Sequence, residues 1–313
     1  MPELRPRRQI NITFKCNLSC PYCYVKNFKP EKKEISLSSF SKILSWFKKQ
    51  NIQNGVSILG GEPTQHPKFD KILESMEKNE LKSTLYTNGL TKNPLYLLSD
   101  SINYIIINYN HPPLISKEKQ RKIEDTISFL TGKKNFTLRL NVNKYTDISE
   151  IMKICKKYNI NSIQLSLVFP SEKRDNLFFK RGVLKSESQK LYEYIRELLD
   201  TGIKASVEEP LPFCAFDKKE RKFLKKEANL FGECGSGRLY AINPDLSVVP
   251  CVIFQESLPK VFLTDFENEK ELVEHLEKFT SSLKWEKYLF EECKTCVFNH
   301  RKLCQGSCLT YKI

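Results

Sequence analysis

The sequence predicts an α/β fold: a partial (β/α)6 barrel over residues 1–208, followed by a small cysteine-rich unit over residues 209–313. Three observations predict it. Between residues 8 and 205, strand-like and helix-like stretches alternate six times, which implies a parallel sheet with right-handed crossovers. Two glycine- and cysteine-bearing motifs fall where the first two strands end, and sheets of this kind place function at the C-terminal ends of their strands. Of eleven cysteines, three lie within residues 16–23 and seven within residues 214–308, with only Cys155 between.

Each element has a local reason. Residues 9–14 (QINITF) read as the first strand, and residues 36–50 as a helix with serines at its start. Residues 55–61 (GVSILGG) form a strand ending in glycines, and residues 67–79 a helix. A third strand over 82–89 (KSTLYTNG) leads to a shorter helix near 93–100, then to a buried-looking strand over 102–110. A helix over 116–132 ends at Gly132; residues 136–143 are a strand; residues 147–159 are a helix opened by Asp147. A strand over 162–169 and a helix over 186–202 complete the sixth unit. After residue 205 the alternation stops. Residues 203–213 run extended, 217–231 form a charged helix, and 239–251 a hairpin around an Asn-Pro-Asp turn. Residues 268–290 are helical. This half shows little apolar residue mass around its seven cysteines, so metal is expected to stand in for core.

With 313 residues, 40% apolar, the chain can bury a sizeable core. No stretch approaches a membrane span, and no apolar run follows the basic N-terminus, so a cytoplasmic protein is expected. In that compartment clustered cysteines point to metal or catalysis and not to disulfides. The formal charge of +14 reads either as solvated lysine-rich faces or as attraction to an acidic partner such as a peptide. Nucleic acid is disfavoured, because basic and aromatic residues do not interleave on strands.

The chemistry centres on Cys16, Cys20 and Cys23 in FKCNLSCPYCY. Three thiolates can hold three irons of a cubane cluster and leave the fourth iron open to a reacting ligand. The other reading of the trio is a zinc loop. Pro21 keeps the segment out of a helix, as wrapping a cluster requires. Gly60, Gly61, Glu62 and Pro63 follow at the end of the second strand, and a TNG run ends the third. Glycines there permit close backbone approach, and a carboxylate complements an ammonium. The other reading of GGEP is an ordinary strand-to-loop turn.

CNLSCPYC with GGEPT and TNG resembles radical SAM enzymes, and the resemblance covers most of the chain. It implies a TIM-like partial barrel, a [4Fe–4S] cluster on the trio, and S-adenosylmethionine on its open iron. Tyr22 is then expected against the adenine, and the backbone of Gly60, Gly61 and Glu62 at the methionine amine. Asn88, Asn108, Arg139 and Asn141, late in the middle strands, are expected at the ribose and the methionine carboxylate. Arg139 reads equally as a structural ion pair.

The later cysteines resemble the SPASM domain or the shorter twitch domain, which carry auxiliary [4Fe–4S] clusters. Cys234 and Cys251 bracket the hairpin, with Leu246 where the family has glycine. Cys293, Cys296, Cys304 and Cys308 follow as C-x2-C-x7-C-x3-C, two residues longer in the middle than the family spacing, with no later cysteine. Cys214 is an extra upstream thiol that could compensate. Seven thiolates suit two clusters with one non-cysteine ligand or an open iron, or else one cluster; a zinc knuckle is the remaining reading for the last four. Cys155, at helical spacing from Ile151, reads as a core thiol. Glu208, Glu209 and Asp217, near the seam between the halves, are candidate proton acceptors, with solvated carboxylates the simpler reading.

The resemblance implies reductive cleavage of S-adenosylmethionine and hydrogen abstraction, most often from a ribosomally made peptide. Crosslinks, thioethers, epimerisation and oxidation are all outcomes in such families. Dehydrogenation of a small molecule, sulfatase-maturase-like oxidation, and a non-catalytic iron–sulfur or zinc protein are the alternatives. The barrel begins by residue 10, so a separate leader-recognition protein, or leader binding by the barrel itself, is expected. An electron donor such as ferredoxin or flavodoxin is also implied.

Overall fold

The computed structural model describes residues 6–25, 28–110, 114–143, 145–168, 184–230, 232–235, 238–252, 260–287, 289–308 and 311. The six β/α units are present in order. They are β1 (Arg7–Thr13), α1 (Leu37–Lys49), β2 (Val56–Gly60), α2 (Phe69–Lys78), β3 (Ser83–Thr87), β4 (Ile102–Asn108), α3 (Lys117–Leu130), β5 (Phe136–Val142), α4 (Ile148–Lys157), β6 (Ser162–Leu167) and α5 (Leu184–Asp200). After β3 the helix is a single 3-10 stretch, Pro94–Leu98. Phe169, the last residue of the strand read over 162–169, lies outside the described residues.

Local chemistry sets the helix starts. Ser36, Ser116 and Asp147 cap α1, α3 and α4, each side chain accepting from a backbone N–H of the first turn. Each helix buries one apolar stripe, such as Phe40, Ile43, Leu44 and Phe47 of α1, against the sheet.

The strand count departs from the sequence reading. The extended run after residue 203 contains β7 (Lys204–Val207), which pairs parallel with β6. The hairpin is β8 (Leu239–Ile242) and β9 (Ser247–Val249), and β8 pairs parallel with β1. With β10 (Val261–Phe262), the sheet has ten strands in the order β10-β9-β8-β1-β2-β3-β4-β5-β6-β7. The ladder is linear, so among the described residues β7 pairs only with β6 and the barrel is open.

The strands alternate. Ile10, Ile12, Leu138, Leu140, Ile163 and Leu165 point into the helix-covered core. Gln9, Asn11, Tyr86, Asn108, Arg139, Asn141, Gln164 and Ser166 lie on the other face, and Asn108, Arg139 and Gln164 stand side by side across β4, β5 and β6. A parallel sheet covered on both faces reads as continuous apolar runs. This one does not, because its second face carries polar side chains.

The expectation of a poor C-terminal core is corrected in part. Leu211, Phe213, Leu224, Tyr240, Ile242, Leu272 and Leu276 all join the main core, because the hairpin adds to the sheet edge. α6 (Lys218–Glu227) follows β7, and α7 (Glu269–Ser282) packs behind the hairpin through Leu272 and Leu276 and through two ion pairs, Arg8–Glu269 and Arg238–Glu277. Glu269 takes Arg8 Nε at 2.6 Å and Arg8 Nη2 at 2.5 Å, and accepts from Tyr240 Oη at 2.7 Å. That bidentate pair joins β1, β8 and α7. Its removal in Glu269→Ala leaves a largely buried guanidinium unpaired, and should lower unfolding stability by about 3 kcal/mol in denaturant titrations.

Leu246 stands in the hairpin turn at φ +69°, the left-handed region that a glycine favours. The turn forms regardless, with Leu246 N–H donating to Asn243 O and Asn243 N–H donating to Ser247 O. The side chain packs against the core, which offsets a conformational cost of about 1 kcal/mol. No described helix is long and apolar enough to cross a membrane.

Candidate active site

The cysteine loop leaves β1 and folds over the ends of β2, β3 and β4. Two glycines make this approach possible. Gly61 N–H donates to Thr13 O and Glu62 N–H to Lys15 O, so the end of β2 is stitched to the root of the loop. A Cβ on Gly60 would lie 2.0 Å from Thr13 O, and one on Gly61 2.3 Å from Lys15 O. The close approach that the glycines permit is therefore between two stretches of this chain's own backbone.

The Glu62 side chain clamps the strand ends together. It is fully buried and spends its carboxylate on the protein. Oε1 accepts from Thr64 N (3.1 Å), Thr64 Oγ1 (2.7 Å) and Thr87 Oγ1 (2.8 Å); Oε2 accepts from Asn88 N (2.6 Å). Four donors stabilise the carboxylate, yet burial dominates and raises its pKa. Pro63 opens the 3-10 turn Pro63–Gln65 that this carboxylate caps.

The thiols are set by side-chain amides. Cys16 Sγ accepts from Leu18 N at 3.4 Å and from Asn88 Nδ2 at 3.7 Å; Cys20 Sγ accepts from Asn110 Nδ2 at 3.9 Å. Asn88 also donates to Asn17 Oδ1 at 2.8 Å, so it orients the loop as well as the thiol. Burial, then the nearby Cys23, pushes Cys20 up to about 11, and burial together with Glu62 and Cys23 raises Cys16. Bare thiols there stay protonated at neutral pH, and a cationic iron centre removes that penalty. Among the described residues no three acidic, thiol or imidazole groups converge on one ion, whereas a cubane spreads its thiolates over separate irons. The donor set, with amides aimed at sulfur, fits a cluster.

Tyr22 is buried, and its hydroxyl meets Asn110 Oδ1 and accepts from Asn108 Nδ2 at 3.0 Å; Asn141 Nδ2 in turn donates to Asn108 Oδ1. A polar relay thus runs from β5 through β4 to the cysteine loop. Asn110, Asn17 and Ser166 were not singled out in the sequence. Asn110 offered only its place two residues beyond a strand end.

Arg139 makes the ion pair of its structural reading. Nη1 lies 3.6 Å from Glu208 Oε2, and Nη2 donates to Ser166 Oγ at 3.4 Å. Burial pulls its pKa down, but Glu208, Tyr86 and Glu209 outweigh it and the net shift is upward. Its Nε is buried with no partner, and so are Gln9 Oε1, Gln164 Oε1 and Glu209 Oε2. Gln9, Arg139 and Gln164 share the polar sheet face, and Glu209 follows β7. Unmet polar groups gathered there are what a polar ligand or ordered water would satisfy.

The three carboxylates part company. Asp217 caps α6 in a reciprocal capping box with Glu220 and faces solvent, so it serves the helix. Glu208 pairs with Arg139. Glu209, 2% exposed, accepts from Leu167 N–H through Oε1. Burial pushes its pKa up to about 7. A carboxyl with a raised folded-state pKa contributes stability below its unfolded pKa and loses it as pH rises through the folded value. Wild type should therefore lose up to about 3 kcal/mol between pH ~4.5 and ~7 that Glu209→Gln retains, measured by urea unfolding across that range.

The C-terminal thiols are also placed. Cys304 Sγ accepts from Phe213 N at 3.5 Å and Gly306 N at 3.3 Å, and Cys234 N–H donates to Gln305 Oε1 at 3.2 Å. Cys155 is buried in α4, as its spacing suggested.

Residues 10–113 match the family model described as the radical SAM superfamily. The chain is 26% identical to an S-adenosylmethionine-dependent nucleotide dehydratase of Selenomonas ruminantium, over 43% of this chain and 51% of that protein. It is 32% identical to the subtilosin biosynthesis protein AlbA of Bacillus subtilis, over 31% of this chain and 22% of that protein. The matched stretches thus span about half or less of these relatives. Among solved structures, Streptococcus suis SuiB bound to S-adenosylmethionine superposes with a TM-score of 0.69 at 17% identity, covering 98% of this chain and 73% of that one. At that identity the likeness is one of fold. Taken with the cysteine loop and the GGE strand end, the family match identifies residues 10–113 as a radical SAM domain.

Proposed function

We propose that this protein is a radical SAM enzyme whose substrate is a ribosomally made peptide. The observation that carries it is the placement of Cys16, Cys20 and Cys23 over the GGE strand end, on a sheet whose polar face holds unmet polar atoms. When bound, a [4Fe–4S] cluster on the trio supplies the electron that cleaves S-adenosylmethionine, and the resulting 5′-deoxyadenosyl radical removes a substrate hydrogen. The chain's own residues do the rest. Asn88 and Asn110 donate to thiolate sulfur and hold it in place. Gly60 and Gly61 keep the loop pressed on the strand ends. Arg139, with Asn108 and Asn141, presents donors to a carboxylate or hydroxyl on the polar face of the sheet, and the helix-covered face keeps water from the other side.

Peptide as substrate rests on AlbA, on SuiB, which has also been solved with its precursor peptide SuiA, and on the net charge of +14, which suits an acidic leader. The dehydratase match favours a nucleotide as the second reading. On the peptide reading, residues 1–208 form the catalytic barrel and 209–313 carry one or two auxiliary clusters. The protein works in the cytoplasm, fed by ferredoxin or flavodoxin.

Anaerobically reconstituted protein with dithionite should form 5′-deoxyadenosine. A peptide encoded beside this gene, deuterated at the reacting position, should pass deuterium into it. Loss of the sulfonium without deuterium transfer, together with transfer from a nucleotide, would replace the first reading by the second. No 5′-deoxyadenosine at all would remove both.

A further inference from the structure

Seven thiols lie beyond residue 208, and the fold sorts them. Cys293 and Cys296 belong to one tight turn: Cys296 N–H donates to Cys293 O at 3.2 Å, between α8 (Glu291–Lys294) and α9 (Val297–His300). The chain then folds back on α9. Leu303 N–H and Cys304 N–H both donate to Phe298 O, which returns Cys304 to the turn that carries Cys296. Across from them stands the segment that follows β7. Phe213 N–H donates to Cys304 Sγ, its ring meets Phe298 at 5.7 Å, and its carbonyl accepts from Arg221 Nη1 at 3.1 Å. Gly232 closes the gap behind, where a Cβ would lie 2.9 Å from the Cys304 Cα and 3.0 Å from the Phe213 ring. The next residue along, exposed Cys214, is thereby fixed beside Cys304. The charges of both Cys214 and Cys296 act on the Cys304 thiol, which agrees with that placement.

The other three sit elsewhere. Cys251, like Cys23, acts electrostatically on Tyr24, at the cysteine loop after β1. Cys308 is buried near Tyr311, whose hydroxyl donates to Val168 O just past β6. Cys234 is tied to Gln305.

Resting on the radical SAM reading above, we propose that Cys214 joins Cys293, Cys296 and Cys304 as the four thiolates of one closed cluster, which leaves Cys234, Cys251 and Cys308 to any second one. The ligand that completes the closed cluster thus comes from the segment between β7 and α6, far in sequence from its three partners. A closed cluster has no iron left for substrate, so its role is structural or in electron transfer.

The test uses the full chain, reconstituted with iron and sulfide. In wild-type holoprotein, iodoacetamide footprinting read by mass spectrometry should find Cys214 protected, and labelled once iron is chelated. Cys214→Ser and Cys304→Ser should each disturb the same cluster, so the double variant should lose no more iron than Cys304→Ser alone, about four per chain. Cys214→Ser with Cys234→Ser should lose about twice that, with two distinct changes in the electron paramagnetic resonance spectrum. Cys214 labelled as fast in holoprotein as in apoprotein would overturn the proposal, and so would a loss in the Cys214/Cys234 double variant equal to either single one. Footprinting needs no variant, so misfolding cannot mask the answer. A wild type holding only about four irons, with Cys293, Cys296 and Cys304 all labelled, would sink the proposal together with the auxiliary-cluster reading; loss of Cys214 protection alone would leave that reading standing.

Discussion

Cys16→Ala is expected to abolish 5′-deoxyadenosine formation, by at least ~1,000-fold, while the protein stays folded. Cys16 lies outside the core cluster, so its removal opens no core cavity. Its sulfur nevertheless collects N–H donors from Leu18 and Asn88 and feels the charges of Glu62 and Cys23. Iron content should fall by about four per chain, with far-UV circular dichroism unchanged. Asn88→Ala should retain the iron but lower the rate, because it loosens the loop without removing a ligand. Full 5′-deoxyadenosine formation by Cys16→Ala would move the reacting centre elsewhere and end the functional reading.

Glu62→Ala should be the most destabilising single substitution at the site, by about 4 kcal/mol in denaturant unfolding. Four donors from Thr64, Thr87 and Asn88 lose their acceptor in a fully buried place. Glu62→Gln should cost less, about 2 kcal/mol, because one oxygen remains while an NH2 group confronts a donor. Thr87→Val, which removes one of the four bonds, should cost about 1 kcal/mol. A Glu62→Ala protein as stable as wild type would show that this carboxylate does not hold the strand ends together.

The cysteine trio, the GGE strand end and six β/α units were legible because each is local. A three-thiol loop announces itself by spacing, a strand by period-two alternation, and a helix by its cap and stripe. Asp217 shows the limit of the same reasoning. As a carboxylate near a seam it suggested proton transfer, yet three residues later Glu220 completes a capping box, a helix-start signature present in the sequence. Glu62 shows another limit: two of its four hydrogen bonds come from nearby Thr64, but those from Thr87 and Asn88 come from the end of β3, 25 and 26 residues on, and only packing brings them together.

The sequence by itself determined the kind of chemistry, because thiolate spacing and the glycines at a strand end follow from covalent geometry over a few residues. It also determined the parallel sheet, because alternation of β and α leaves few topologies. Only the tertiary structure decided that β8 extends the sheet beside β1, that the barrel stays open, and that Arg139 meets Glu208. It alone also placed Cys214 beside Cys304, 90 residues away. Those are pairings between distant segments, set by which apolar faces must be buried and which buried polar groups must find partners, and neither requirement leaves a mark in any short stretch of chain.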